Sequence, residues 1–132
     1  MQIAPAKTLR IAAPLAACVA AVALAGAPAA PAQTGGAKPK LVTVNDFYFG
    51  PPSVTINKGG SVKWVWSDLN TYPHDVHLKQ GPKGLKQKGT YSTKTTAVTG
   101  AEFKKKFETP GTYKFICTIH PTEMKLTVTV KK

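Results

Sequence analysis

From Lys40 onward, apolar residues recur at every second position in short runs that Gly and Pro residues interrupt. The clearest of these runs centre on Trp64, Phe115 and Val128. Because successive side chains of a β-strand point to opposite faces, a period of two predicts strands with one buried face. About seven or eight such strands in a domain of about 100 residues predict an all-β fold, a Greek-key β-sandwich.

Two stretches of the chain complicate this pattern. Residues 74–78 are predicted as a strand with His74 on one face and His77 on the other, and residues 79–100 give weak signals for a short strand or helix. In the strand that follows, Lys105 falls on the same face as two phenylalanines. A β-bulge or a position at the edge of a sheet would accommodate that lysine.

The first 32 residues have the three-part layout of a secretory signal. Two basic residues precede an uncharged apolar run at residues 11–24, and residues 30–32 (Ala-Pro-Ala) supply the small residues that a signal peptidase recognises. We therefore expect cleavage after Ala32 and export to the periplasm, the cell envelope or the extracellular space. A competing interpretation comes from Leu-Ala-Ala-Cys ending at Cys18, which resembles a bacterial lipobox and would make Cys18 a lipid anchor.

Beyond the signal, the chain is predicted to have a flexible arm at residues 33–40 and a single domain at residues 41–132. These residues contain sixteen lysines and six acids but no arginine. Because arginine is preferred for bidentate contacts to bases and phosphates, its absence argues against nucleic acid as a partner. Surface lysines would instead steer the protein toward a partner with an acidic docking surface.

Cys117 is the only cysteine beyond residue 32. A lone thiol in an oxidising compartment is prone to oxidation or cross-linking, so it needs another use, and metal ligation provides one. Cys117 ends one predicted strand, His120 lies on the loop that follows, and Met124 begins the next strand. A distant strand end supplies His74.

Two imidazoles, one thiolate and a weak axial thioether form the ligand set of blue-copper electron-transfer sites. Sulfur favours Cu(I), and imidazole tolerates both Cu(I) and Cu(II). A site held between the preferred geometries of the two ions changes little on electron transfer, so the barrier stays low. The residues therefore predict one type 1 copper ion per chain, cycling between Cu(II) and Cu(I), at His74, Cys117, His120 and Met124.

The sequence resembles the plastocyanin-like cupredoxins, including the amicyanin and pseudoazurin groups, over residues 47–130. Two segments carry the resemblance. Residues 72–76 (Tyr-Pro-His-Asp-Val) are similar to the family motif Phe-Pro-His-Asn-Val around the first copper ligand. Residues 111–120 are similar to the family segment Gly-x-Tyr-x-Phe/Tyr-x-Cys-x-x-His. Matched residue by residue, this resemblance implies the same four copper ligands that the donor types predict.

The resemblance also implies a role. It implies an electron carrier in which His120 passes the electron at the edge of an apolar rim. We also expect the protein to be a monomer that has no substrate and is not an enzyme. The rim is predicted to include Phe49, Pro73 and Pro121. A redox protein with an acidic docking surface would be the partner.

Two residues next to the ligands depart from the family pattern. Asp75 stands where the family usually has Asn, and we expect its carboxylate to accept a hydrogen bond from the Thr118 hydroxyl and to favour Cu(II). Ile119 replaces a common Pro, and its backbone N–H is expected to reach the Cys117 sulfur and favour Cu(I). Because the two effects oppose each other, the reduction potential does not follow from the sequence.

Three other functions remain open at this point. The same ligands could serve a copper-binding module for storage, delivery or sensing, if the copper is exchangeable. Cys117 and His120 could also form a nucleophile and base, although no third group is evident to orient the base. A zinc site is conceivable too, but thioether is a poor zinc ligand and Cu(II) binds such donor sets more tightly than zinc.

Overall fold

Residues 36–132 are described by a computed structural model of the chain, and their backbone is almost entirely strand, turn and loop. The expected signal at residues 1–32, the Cys18 lipobox and the first residues of the arm lie outside that range. None of the helical structure within residues 36–132 has the length and apolar character needed to cross a lipid bilayer.

Eight strands and one short 3₁₀ helix make up the regular structure of residues 36–132. Gly or Pro residues lie in most of the connections between the strands, although the turn at residues 46–47 has neither. Gly59, between the third and fourth strands, has a φ of 82°, a left-handed conformation that favours glycine. The strands are β1 (Lys40–Asn45), β2 (Tyr48–Gly50), β3 (Ser53–Asn57), β4 (Ser61–Trp66), β5 (His77–Gln80), β6 (Glu102–Lys106), β7 (Gly111–Ile116) and β8 (Lys125–Lys131), and the 3₁₀ helix is Lys88–Tyr91.

The strands form two four-stranded sheets, in the orders β2-β1-β4-β6 and β3-β8-β7-β5. Neighbours pair antiparallel except β1 with β4 and β3 with β8, which pair parallel because the chain changes sheet between them. A single buried cluster draws side chains from both sheets. These features confirm the predicted all-β sandwich of eight strands.

The alternation that predicted the strands also builds the core. Val62, Trp64 and Trp66 of β4 are buried, whereas Lys63 and Val65 between them are only partly covered. Burial of each such apolar side chain contributes about 1.5–3 kcal/mol. The core also contains Val42, Val44, Phe49, Ile56, Val76, Leu85, Tyr91, Phe107, Tyr113, Phe115, Cys117, Met124, Leu126, Val128 and Val130.

The structure corrects the bounds of one predicted strand and shows what residues 79–100 form. β5 begins at His77, so the prediction of a strand from residue 74 is wrong for its first three residues, 74–76. His74, Asp75 and Val76 are buried one after another, so their side chains do not alternate between two faces. His74 makes only an isolated bridge to Thr96. Residues 79–100, predicted to hold a short strand or helix, contain the 3₁₀ helix Lys88–Tyr91.

Lys105 lies on β6, which is an edge strand of its sheet, as one of the two predicted solutions requires. At the edge, the long side chain reaches across the 3₁₀ helix. Its ammonium nitrogen lies 4.2 Å from the centre of the Tyr91 ring and donates a hydrogen bond of 2.6 Å to the Thr90 hydroxyl. The lysine therefore covers part of the core with its stem while its charge stays near solvent.

Tyr113 makes the stability of the fold depend on pH in the alkaline range. Its hydroxyl donates a 2.7 Å hydrogen bond to the carbonyl of Thr109. Burial, followed by the nearby Tyr91, raises the pKa of Tyr113 to about 12. Because the unfolded chain ionises tyrosine near pH 10, this stabilisation is complete below about pH 10 and is lost as pH rises through about 12.

We expect Tyr113→Phe to remove this pH dependence. Near pH 9 the free energy of unfolding of the variant should be about 1 kcal/mol below that of the wild type, because the Thr109 carbonyl loses its hydrogen-bond donor. Between about pH 9 and pH 12, the free energy of unfolding of the wild type should fall by about 2 kcal/mol relative to that of the variant. Urea unfolding of both proteins at the two pH values tests this, and parallel pH profiles would contradict the role given to Tyr113.

Candidate metal centre

The loop between β7 and β8 holds three of the predicted ligands. The backbone N–H of Cys117 donates to the carbonyl of Met124 at 3.2 Å, and the N–H of Met124 donates to the carbonyl of His120 at 2.9 Å. These two bonds close the loop at the end of the hairpin. Cys117 and Met124 are fully buried, whereas His120 is half-buried.

His74 comes from the long connection between β4 and β5. Its backbone exchanges hydrogen bonds of 3.0 and 2.9 Å with Thr96, and the indole N–H of Trp66 donates to its carbonyl at 3.4 Å. These bonds fix the backbone next to the ligand loop. The imidazole has no exposed surface.

The structure brings His74, Cys117 and His120 together. The Cys117 sulfur lies 3.9 Å from Nδ1 of each imidazole, and the three donor atoms are within 4.8 Å of one another. Metal bonds to sulfur and nitrogen are about 2.3 and about 2.0 Å long, so one ion spans at most about 4.3 Å between the two donors. The 3.9 Å separations therefore fit a single metal ion.

Met124 lies in the same β7–β8 loop as Cys117 and His120. Its side chain is fully buried, and its backbone bonds directly to Cys117 and His120. A thioether is soft and polarisable, so it suits a weak axial position next to copper. Met124 remains the predicted fourth ligand.

Asp75 joins the two parts of the chain that carry the predicted ligands. Its buried carboxylate accepts hydrogen bonds from the Thr118 N–H at 2.7 Å, from the Thr118 hydroxyl, and from the Thr95 hydroxyl at 3.1 Å. The predicted bond from the Thr118 hydroxyl is confirmed, and the contact with Thr95 is additional. Asp75 therefore ties the residue after His74 to the residue after Cys117.

The contact predicted for the Ile119 N–H is not found among the described residues. The hydrogen bonds of residues 36–132 do not include one from the Ile119 N–H to the Cys117 sulfur, so that expectation is corrected. The sulfur instead has the two ring nitrogens of His74 and His120 as neighbours. The Ile119 side chain is 44% exposed and lies at the surface of the loop.

Asp46, in the turn between β1 and β2, was not predicted to belong to the site. Its Oδ1 lies 2.7 Å from Nε2 of His74, on the side of the ring away from Cys117. Partial burial raises the pKa of the Asp46 carboxyl, but hydrogen bonds from His74, Thr71 and Tyr72 outweigh it and hold the pKa far below its ordinary value. A single acid 28 positions before the histidine gives no sequence signal for this contact.

The surface around His120 is apolar, but not with all the predicted residues. Phe49 was expected at the rim, and that prediction is wrong, because its side chain is only 2% exposed and belongs to the core. Phe47 and Tyr72 lie there instead, with ring centres 5.1 and 6.1 Å from the imidazole in T-shaped contacts. Tyr72, two positions before His74, was a sequence signal that was missed, whereas Phe47 lies far from the predicted ligands in the sequence.

Three remaining predicted positions lie at the surface. Pro73 and Pro121 are exposed, each next to a predicted ligand in the chain. His77 is exposed at the start of β5, where it pairs with Ile116. It is not part of the cluster formed by the other two histidines.

Known proteins are similar to this chain in sequence and in fold. The chain is 36% identical over 118 residues to amicyanin-alpha of Methylorubrum extorquens, a match that covers 87% of this chain and 92% of the relative. The oxidised plastocyanin of Dryopteris crassirhizoma superposes with a TM-score of 0.58 at 30% identity, over 69% of this chain and 99% of that one. A copper-containing nitrite reductase of Thermus scotoductus superposes at 27% identity with a TM-score of 0.57, over 71% of this chain but only 22% of that one.

The sequence model of one family covers nearly all the described residues. It is described as "Copper binding proteins, plastocyanin/azurin family", and it matches residues 39–131. The cluster of two imidazoles and a thiolate, with Met124 next to it, is the donor set that suits type 1 copper. The chain therefore belongs to the plastocyanin/azurin family of copper-binding proteins, and copper is its cofactor.

Proposed function

We propose that this chain is an exported blue-copper protein that carries single electrons between redox partners. The observation that carries the proposal is the cluster in which the Cys117 sulfur lies 3.9 Å from two imidazole nitrogens. Bound copper would supply a Cu(II)/Cu(I) couple. We propose that its ligands are His74, Cys117, His120 and Met124.

Contacts within the protein constrain these four residues. Hydrogen bonds fix the backbone at Cys117, Met124 and His74, and three of the four side chains have no exposed surface. Such a site excludes water and cannot add ligands freely when the charge of the ion changes. A small structural change on electron transfer keeps the barrier low, which suits a carrier.

His120 is the proposed exit for the electron, because it is the one proposed ligand that is not fully buried. Phe47 and Tyr72, about half exposed, surround its ring with apolar surface. Together with Pro73 and Pro121, they form the proposed rim. A redox partner that packs against such a surface excludes water and shortens the path to the imidazole.

An enzymatic role has some support in the geometry but lacks access for a substrate. Asp46 contacts one ring nitrogen of His74 and the Cys117 sulfur lies 3.9 Å from the other, as in a nucleophile with an oriented base. However, the Cys117 side chain has no exposed surface. Two surface grooves of the described residues are lined by other residues, one around the β3–β4 turn and one along β5, β7 and β8. We therefore propose that the protein is not an enzyme and acts on no substrate.

We further propose that the protein works as a monomer and meets a partner with an acidic docking surface. Lysines outnumber acids strongly beyond residue 32. Lys63 and Lys106 form ion pairs with Glu102 and Glu108, which reduces their attraction for a partner. Lys125 is exposed and directly follows Met124, so its charge lies at the end of β8 that carries the site.

We expect Lys125→Glu to slow electron transfer to an anionic oxidant, ferricyanide. The matched control is Lys131→Glu, which makes the same charge change at the other end of β8, about 20 Å away. The rate of the wild type should fall as salt is added, and Lys125→Glu should lower it several-fold at low salt. Stopped-flow kinetics measure both effects, and equal rates for the two variants would contradict the proposed docking end.

Copper retention separates an electron carrier from a module for copper storage, delivery or sensing. The reduced, copper-loaded protein is mixed with an excess of a Cu(I) chelator, and the released metal is followed over time. A carrier should keep its copper through many cycles of reduction and oxidation. Release of most of the copper within a few cycles would overturn the carrier proposal in favour of the delivery module.

A further inference from the structure

We infer that Asp46 is a positioning residue for His74: its carboxylate fixes the proton of the imidazole on Nε2 and turns Nδ1 toward the copper site. This inference rests on the proposed function, because it concerns the same site. Asp46 lies in the turn between β1 and β2, far from the ligands in sequence. Its Oδ1 is 2.7 Å from Nε2 of His74.

The ring of His74 can serve the site in only one tautomer. Nδ1 lies 3.9 Å from the Cys117 sulfur, so it is the nitrogen that faces the other donors. A metal ligand needs a free lone pair at that nitrogen, and the proton must then be on Nε2. An ionised carboxylate only accepts hydrogen bonds, so Asp46 requires the Nε2–H form.

The carboxylate is itself held in position. Oδ2 of Asp46 accepts from the backbone N–H of Thr71 at 2.8 Å and from its hydroxyl at 2.7 Å. Oδ1 accepts from the N–H of Tyr72 at 3.2 Å in addition to His74. With three other hydrogen bonds fixing its orientation, the carboxylate acts as a rigid support for the imidazole.

The negative charge of Asp46 adds a second effect. A carboxylate bonded to the far nitrogen of a ligating imidazole increases the basicity of that ligand. It also places a negative charge near the metal, which stabilises Cu(II) more than Cu(I). Asp46 and Asp75 therefore place two carboxylates on different sides of the ligand set, and both should lower the reduction potential.

Three variants separate positioning from charge. Asp46→Asn keeps an oxygen acceptor for Nε2–H but removes the charge, and Asp46→Ala removes both. Asp68→Asn is the matched control, because Asp68 is exposed in the same β4–β5 connection as His74. The readouts are the ¹⁵N chemical shifts of the His74 ring in the metal-free protein, the affinity for Cu(II), and the reduction potential.

We expect the metal-free wild type and Asp46→Asn to show the Nε2–H tautomer, and Asp46→Ala to show a mixture. Cu(II) affinity should fall about 10–100-fold in Asp46→Ala and less in Asp46→Asn. Each tenfold loss that affects Cu(II) alone raises the potential by about 59 mV. Both variants should therefore have a higher potential than Asp68→Asn.

The inference is overturned if both Asp46 variants keep the wild-type tautomer and differ in potential no more than the control does. This outcome is distinct from failure of the proposed function. If the wild type binds no copper in a blue site, the function falls, while the tautomer measured without metal still decides the role of Asp46. If Asp46→Ala does not fold, the reduction potential of Asp46→Asn compared with that of Asp68→Asn still tests the effect of the carboxylate charge.

Discussion

Replacement of Cys117 by serine should abolish the intense visible absorption of the copper-loaded protein. That absorption arises from charge transfer between a thiolate sulfur and Cu(II), and Cys117 is the only thiol beyond residue 32. Serine occupies nearly the same volume but offers a hydroxyl, which is a harder and far less acidic donor. Cu(II) affinity should therefore fall by about 100-fold or more, while the fold is retained.

The variant needs a control that changes another donor type outside the site. His77→Gln removes an exposed imidazole on β5 that the ligand cluster does not include. It should keep the full absorption and the wild-type stoichiometry. Strong blue absorption that persists in Cys117→Ser would contradict the assignment of the sulfur ligand, and loss of colour in His77→Gln would show that the assigned histidines are wrong.

Truncation of Trp64 should cause the largest loss of stability outside the metal centre. Trp64 is fully buried, and its ring packs against Phe103 at 5.3 Å and Phe115 at 5.2 Å between ring centres. Deleting such a side chain leaves a cavity and typically costs about 3–5 kcal/mol. A small domain has about 5–15 kcal/mol in total, so Trp64→Ala should be close to unfolding at room temperature.

Two other variants calibrate this result. Leu69→Ala removes an apolar side chain that is 87% exposed, and it should change stability by less than about 0.5 kcal/mol. Trp64→Phe keeps an aromatic ring but removes the indole N–H, which has no hydrogen-bond partner among the described residues. It should cost clearly less than the alanine variant. Urea unfolding measures all three, and a loss below about 1 kcal/mol for Trp64→Ala would contradict the described core.

The strands were predictable where one face of a sheet is buried and the other is not. In β4, every second residue enters the core, so a period of two is visible in the sequence. The rule failed at residues 74–76, where three successive side chains are buried. There, His74 turns toward the ligand cluster and Asp75 toward Thr118, so hydrogen bonds of the site replace the alternation of a sheet.

The site was predictable where its donors have characteristic chemistry and spacing. Cys117, His120 and Met124 lie within eight residues, and their donor types limit the choice of metal. Asp46 and Phe47 escaped prediction because their contacts depend on how the β1–β2 turn meets two other loops. Phe47 has a φ of 67°, a left-handed conformation that is unusual for a bulky residue, and no local sequence pattern predicts it.

The visible spectrum of the purified protein during titration with Cu(II) tests the central claim most directly. We predict an intense blue band that grows to a plateau at one copper ion per chain, bleaches on addition of a reductant, and returns on reoxidation. A protein that binds one copper ion without such a band, or whose band does not return after reduction, would contradict a blue-copper electron carrier built on Cys117.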